Sequence, residues 1–286
     1  MSISHNLRRS LMLAGAVTVA ASLGFTAAGA ASADTSSDAG ADTKRPVKAT
    51  IVTVHGAWAD SSTFANVTRR LQHDGYTVLN APDPLRGLAS DAASIAAFVD
   101  QATTGPVILV GHSYGGAVIT NAATSLPQVK ALVYVDAFAP DQGESVAGLA
   151  GAAPGSVLAG QPQDIFTAVQ DPSLPAGDPE LYVKPTIFAE GFTKNLDQAE
   201  AQILEASQRP VAGGALQEPS GAPAWKTIPS FFLIGSKDEV IPPAGQNAMA
   251  QRAGGTSVTV KAGHLSMLEK PAEVTALIER AASTTK

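Results

Sequence analysis

Runs of mostly apolar residues, each three or four long, recur along the chain with helix-like segments between them. Ile51–Val54, Val107–Val110, Leu132–Val135, Phe231–Ile234 and Val258–Val260 are apolar on both faces, and Tyr76–Leu79 adds a sixth strand. Continuous runs of this length suit strands of a parallel sheet that is covered on both sides. Helical spacing marks Ser62–His73, Leu88–Thr103, Tyr114–Ser125, Ala244–Ala253 and Ala272–Ala282, the last just behind Pro271 at a first-turn position. Alternating strands and helices predict an α/β fold: a doubly wound, mostly parallel sheet of about six strands.

One connection breaks the alternation. About ninety residues, roughly 138–227, separate two core strands, far beyond an ordinary linkage, and predict an inserted lid. Its first half carries Pro154, Pro162, Pro172, Pro175, Pro179 and Pro185, which predicts much irregular structure. Asn195-Leu196-Asp197-Gln198 reads as a helix start, with Leu196, Ala199, Ile203 and Leu204 inward along a helix to about Ser207. Phe166, Tyr182, Phe188 and Phe192 are its large apolar side chains. They either line a substrate pocket or only pack the lid on the body.

The N-terminus changes the picture of where the domain begins. His5, Arg8 and Arg9 precede an apolar, small-residue stretch from Leu11 to Ala31 that ends in Ala31-Ser32-Ala33. Residues 1–33 are therefore expected to be an export signal, cleaved on a Sec or, given the paired arginines, a twin-arginine route. Residues 34–48 are polar and predict a disordered leader, leaving 49–286 as one domain with the lid inside it. The expected destination is extracellular, with no stable membrane association after cleavage. Removing Arg8 and Arg9 with the signal leaves 17 basic against 25 acidic residues, a formal charge of −8 rather than −6, which argues against a nucleic-acid partner. The absence of cysteine excludes disulfides and thiolate chemistry.

Gly111-His112-Ser113-Tyr114-Gly115 follows the run Val107–Val110. A serine between two flanking glycines at a strand end has the form of a nucleophile elbow: a sharp, strained strand-to-helix turn that lifts the hydroxyl clear of the sheet. A serine hydroxyl needs an imidazole to take its proton and an acid to orient that imidazole. Of the histidines beyond the signal, His55 braces a strand-end loop, His73 lies in a helix and His112 adjoins the serine. His264, in the loop after the last strand, is left as the base at the carboxyl edge of the sheet. Asp238, after Phe231–Ile234, is the expected acid, and Asp136, after Leu132–Val135, is its alternative. Two backbone donors must face the oxyanion of the transition state. Tyr114 supplies one N–H, and Ala57 in the loop His55-Gly56-Ala57-Trp58 the other, with Trp58 as second choice. No metal and no organic cofactor is expected, because three side chains and two amides fill every role. Activity is expected to rise with pH as His264 loses its proton, near 6.5 or somewhat higher.

With these residues placed, the chain from Ala49 onward resembles the α/β-hydrolase superfamily, and within it the branch of plant methylesterases and hydroxynitrile lyases. The similar stretches are 54–58, 111–116, 133–141, 237–242 and 263–268. The resemblance implies an α/β-hydrolase fold and a triad of Ser113, Asp238 and His264. Lyases of that branch carry threonine at the position of Gly56 and lysine at that of Leu265, so the resemblance favours the esterase side, acting on a small hydrophobic ester through an acyl-enzyme. Relatives commonly have alanine at the position of Asp136, which leaves its role open. A hydroxynitrile lyase, a cofactor-free perhydrolase and a slow or inert ligand-binding module on the same scaffold are the alternatives. Ester identity and oligomeric state are not legible in the sequence.

Overall fold

The computed structural model describes residues 48–284. The expected export signal and nearly all of the leader lie outside them. Strands β1 (Thr50–Val54), β2 (Val78–Ala81), β3 (Val107–His112) and β4 (Val129–Val135) form before the lid. Within the lid lie β5 (Phe166–Val169), β6 (Glu180–Val183) and β7 (Val211–Ala212), and beyond it β8 (Ser230–Gly235) and β9 (Thr256–Val260). The main sheet has six strands in the order β2-β1-β3-β4-β8-β9, each pair parallel.

Period-two alternation splits the apolar runs into two cores. Ile51, Ile108, Val110, Val133 and Leu233 face one side, against Val67 and Leu71 of helix α1 (Ala65–His73) and Val274, Leu277 and Ile278 of the C-terminal helix Pro271–Ser283. Val52, Leu109, Leu132 and Phe232 face the other, against α2 (Leu88–Ala102) and α3 (Tyr114–Ala122). A side chain taken fully out of water on either face contributes about 1.5–3 kcal/mol, so covering both faces stabilises the sheet that carries the site.

Two strands differ from expectation. β2 begins two residues late because Gly75, at φ 81°, closes α1 in a left-handed cap in which Tyr76 still donates to Leu71 O. β9 was expected to be covered on both faces, but it is the sheet edge, and Val258 is 36% exposed.

The lid is more regular than its prolines suggest. It holds α4 (Val146–Gly151), α5 (Pro162–Ile165), α6 (Pro185–Ile187), a π-helical turn at Phe188–Phe192, α7 (Gln198–Ala206) and α8 (Gly213–Gln217). β5, β6 and β7 make a small antiparallel sheet. Pro162 and Pro185 start helices, where a missing N–H costs nothing. α7 forms as read, with Asp197 capping Ala199 and Glu200 at 3.0 Å each. Its expected inward face is only half right: Leu196 and Leu204 are half-buried, while Ala199 is exposed and Ile203 is 68% exposed. After the lid come α9 (Pro243–Arg252), α10 (Ser266–Glu269) and α11 (Pro271–Ser283), with Pro271 at the start of α11 as expected.

Candidate active site

Ser113 is the single residue between the last residue of β3 and the first of α3, and it sits at φ 51°, ψ −122°. A non-glycine residue at positive φ persists only where its surroundings hold it. Here Ser113 O accepts N–H groups from Gly116 at 3.0 Å and Phe138 at 3.2 Å. The flanking glycines are steric necessities: a Cβ on Gly111 would stand 2.5 Å from Gly115 O, and one on Gly115 2.5 Å from Val54 O.

Ser113 Oγ lies 3.0 Å from His264 Nε2, and His264 Nδ1 lies 2.9 Å from Asp238 Oδ2. His264 sits in the turn between β9 and α10, and Asp238 follows β8. All three residues are buried. Burial lowers His264 to about 3, so its imidazole is neutral: Nδ1–H donates to Asp238 and Nε2 is left to accept from the serine. The loss of the basic form therefore falls below 6.5, not at or above it as the sequence suggested. Burial pushes the Asp238 carboxyl up, while N–H groups of Val240 at 2.8 Å and Ile241 at 2.9 Å and the amide of Gln246 at 2.8 Å favour its ionised form.

Asp136 is equally buried but turned to other partners. Its Oδ1 accepts from Gly235 N at 2.7 Å and its Oδ2 from Ser266 N at 3.0 Å, tying the end of β8 to the His264 turn. Burial, and then the charge of Asp238, raise its carboxyl. The carboxylate bonded to His264 is Asp238.

The loop after β1 crosses directly over Ser113; a Cβ on Gly56 would lie 2.6 Å from Ser113 Cβ. Tyr114 opens α3, where an N–H has no partner within the helix. Among the described residues, neither its N–H nor that of Ala57 meets a protein acceptor. The N–H of Trp58, the second choice, is committed to Arg209 O at 3.1 Å. Beneath the loop, His55 Nδ1–H donates to Gly56 O at 2.9 Å and Nε2 accepts from Asp83 N at 3.0 Å. Burial lowers His55 to about 4, so it braces the loop as a neutral ring.

Sequence reasoning missed several supports. His112 Nε2–H donates to His264 O at 2.9 Å, and Gln246 also reaches Ile241 O at 2.7 Å. Tyr114 Oη donates to Asp91 at 2.9 Å. An aspartate, Asp91, in the alanine-rich α2 was the one signal available in advance; the others join segments far apart in the chain. Among the described residues, no cluster of histidine, aspartate and glutamate is arranged to hold a metal ion.

A cavity of about 560 Å³ opens beside Ser113. Trp58, Phe138, Ile165, Phe166 and Leu216 form much of its wall, small residues of α4 form one side, and no charged side chain lines it among the described residues. Of the four lid aromatics, Phe166 lines the cavity. Phe188 stacks on Phe192 at 5.0 Å, and Phe192 stands edge-on to His264 at 5.2 Å.

The chain as a whole is similar to known proteins. The model of the alpha/beta hydrolase family covers residues 51–277, and the chain belongs to that family. It is an enzyme of that superfamily, and its parallel sheet with the small antiparallel sheet is the family's fold. A carbendazim hydrolyzing esterase from Nocardioides sp. (strain SG-4G) is 34% identical over 113 residues, 35% of this chain and 47% of that relative. An alpha/beta hydrolase from Aspergillus novofumigatus (strain IBT 16806) is 27% identical over 82% of this chain and 97% of its own length. Among solved structures, an extracellular alpha/beta-hydrolase from a Paenibacillus species superposes with a TM-score of 0.69 at 23% identity, covering 82% of this chain and 98% of that one. Polyneuridine aldehyde esterase superposes at 0.68 with 16% identity, covering 82% and 99%.

Proposed function

We propose that this enzyme is a secreted serine hydrolase that cleaves uncharged carboxylic esters through an acyl-enzyme. The observation that carries the reading is the unbroken line from Ser113 Oγ through His264 to Asp238, at 3.0 and 2.9 Å, beside an uncharged cavity. Ser113 Oγ attacks the ester carbonyl as its proton passes to His264 Nε2, and Asp238 holds the imidazolium that forms. The N–H groups of Tyr114 and Ala57 receive the oxyanion. Collapse breaks the bond to the alcohol, which leaves with the proton from His264. Water, deprotonated by the same imidazole, then releases the acid and restores Ser113.

The cavity's size suits a ligand of drug-like dimensions, and its mostly apolar lining carries no charged side chain. A small hydrophobic ester is therefore the substrate class. The names of the carbendazim hydrolyzing esterase and polyneuridine aldehyde esterase point to the same activity. Export rests on the signal-like residues 1–33, and the Paenibacillus neighbour is itself described as extracellular.

The test is turnover of neutral p-nitrophenyl esters by the mature protein. Ser113→Ala is expected to remove it, and the acid limb of kcat/KM should fall below pH 6.5, because His264, lowered by burial, keeps its basic form to lower pH. Ester turnover that survives Ser113→Ala would refute the assignment.

A further inference from the structure

Trp58 follows the oxyanion donor Ala57, and the lid holds it from several sides. Its N–H donates to Arg209 O at 3.1 Å and its indole Nε1–H to Leu181 O at 2.8 Å. Its ring stacks on Phe166 at 5.5 Å and meets Phe192 edge-on at 5.6 Å. Arg209 reaches the same loop a second time, with Nη1 3.2 Å from His55 Nε2. All four partners of Trp58 belong to the long insertion between β4 and β8.

The backbone makes these contacts consequential. Trp58 is at φ 60°, in the left-handed region that a bulky side chain adopts only under restraint. Released from the lid, it would relax toward negative φ, and rotation about its N–Cα bond would reorient the Ala57–Trp58 peptide and so displace Ala57, which carries the donor N–H, relative to Ser113. At Gly56 a Cβ would lie 2.6 Å from Ser113 Cβ, so the donor loop packs directly on Ser113 and a small shift of the loop changes the donor's place relative to it. Phe192 contacts both Trp58 and His264, so the seated lid touches the base and the donor loop together.

We propose that Trp58 is a positioning residue that makes the Ala57 donor depend on the seated lid. This rests on the serine-hydrolase reading. It differs from a pocket-lining role in what it moves. Every ester, large or small, develops the same oxyanion, so loss of the donor lowers kcat for all of them. Loss of a pocket wall raises KM, and mostly for the bulkier ester.

The experiment compares Trp58→Phe and Trp58→Ala with wild type on p-nitrophenyl acetate and p-nitrophenyl benzoate, with the labelling rate by a fluorophosphonate measured in parallel. Trp58→Phe keeps the ring contacts and loses the bond to Leu181 O; Trp58→Ala loses every side-chain tie beyond Cβ but keeps the Cβ that disfavours positive φ. Removing an oxyanion donor outright costs about 10²–10³-fold, so kcat should fall about 10-fold in the phenylalanine variant and about 100-fold in the alanine variant. The factor should be the same for both esters, with KM within about threefold and labelling slowed in step. Unchanged kcat in both variants, or a loss confined to the benzoate and carried by KM, overturns the proposal. A wild type inert toward both esters and the probe fails the hydrolase reading and takes this proposal with it; an active wild type with unaffected variants fails this proposal alone.

Discussion

Asp136 and Asp238 end neighbouring strands with the same side chain at the same depth, and only their partners separate them. Asp238 accepts from His264, whereas Asp136 accepts from two backbone N–H groups that join β8 to the His264 turn. Asp238→Asn should therefore lower kcat by about 10³–10⁴-fold, through loss of the imidazole's orientation and charge partner. Asp136→Asn should leave kcat within about tenfold but cost about 1–3 kcal/mol in urea unfolding, because an amide cannot accept on both sides and one buried N–H loses its acceptor. The opposite pattern would make Asp136 the acid. At this scale the sequence was informative where chemistry is local. Ser113 stands in a five-residue motif, and His264 follows from the position of the last strand. The choice between two strand-end aspartates was not settled by pattern, since it depends on which way each carboxylate turns. Gln246 and His112 were invisible for a related reason: their partners lie elsewhere in the chain, and no local spacing records such bonds.

Helices and strands of the main sheet were legible because each buries an apolar face with its own period. Apart from α7, the insertion was not, because its elements are short and lean on one another rather than on the sheet. Pro162 and Pro185, read as breakers, open helices, and Ile203, read as inward, points to solvent from a helix packed along one edge. α4 is the lid element that bears most directly on substrate choice. Gly148 lines the cavity, and a Cβ there would have only Ser145 Oγ, at 3.1 Å, for a neighbour. Gly148→Leu should thus narrow the cavity without disturbing the fold. Turnover of p-nitrophenyl benzoate should fall about tenfold while that of the acetate stays within about threefold, and stability should hold or rise by up to about 1 kcal/mol as a glycine leaves a helix. Equal effects on both esters would place the substrate elsewhere in the cavity.

Over the whole molecule, the parallel sheet explains why residues from four distant segments meet. Each crossover returns the chain to the same edge, so the loops after β1, β3, β8 and β9 gather Ala57, Ser113, Asp238 and His264 at the carboxyl ends of the strands. The insertion between β4 and β8 supplies much of the uncharged cavity wall beside Ser113. The strand order was expected only as a class, and the sheet edge at β9 emerged from pairing that no single strand encodes. A hydrolase fold also carries other chemistries, so the account turns on whether Ser113 is activated. A fluorophosphonate decides it directly: Oγ displaces fluoride from phosphorus only when the imidazole takes its proton and the oxyanion site accepts the charge. Intact-mass analysis of the mature protein after exposure to such a probe should give one adduct per wild-type chain and none in Ser113→Ala. An unlabelled, folded wild type, or an adduct that persists in Ser113→Ala, would contradict the account.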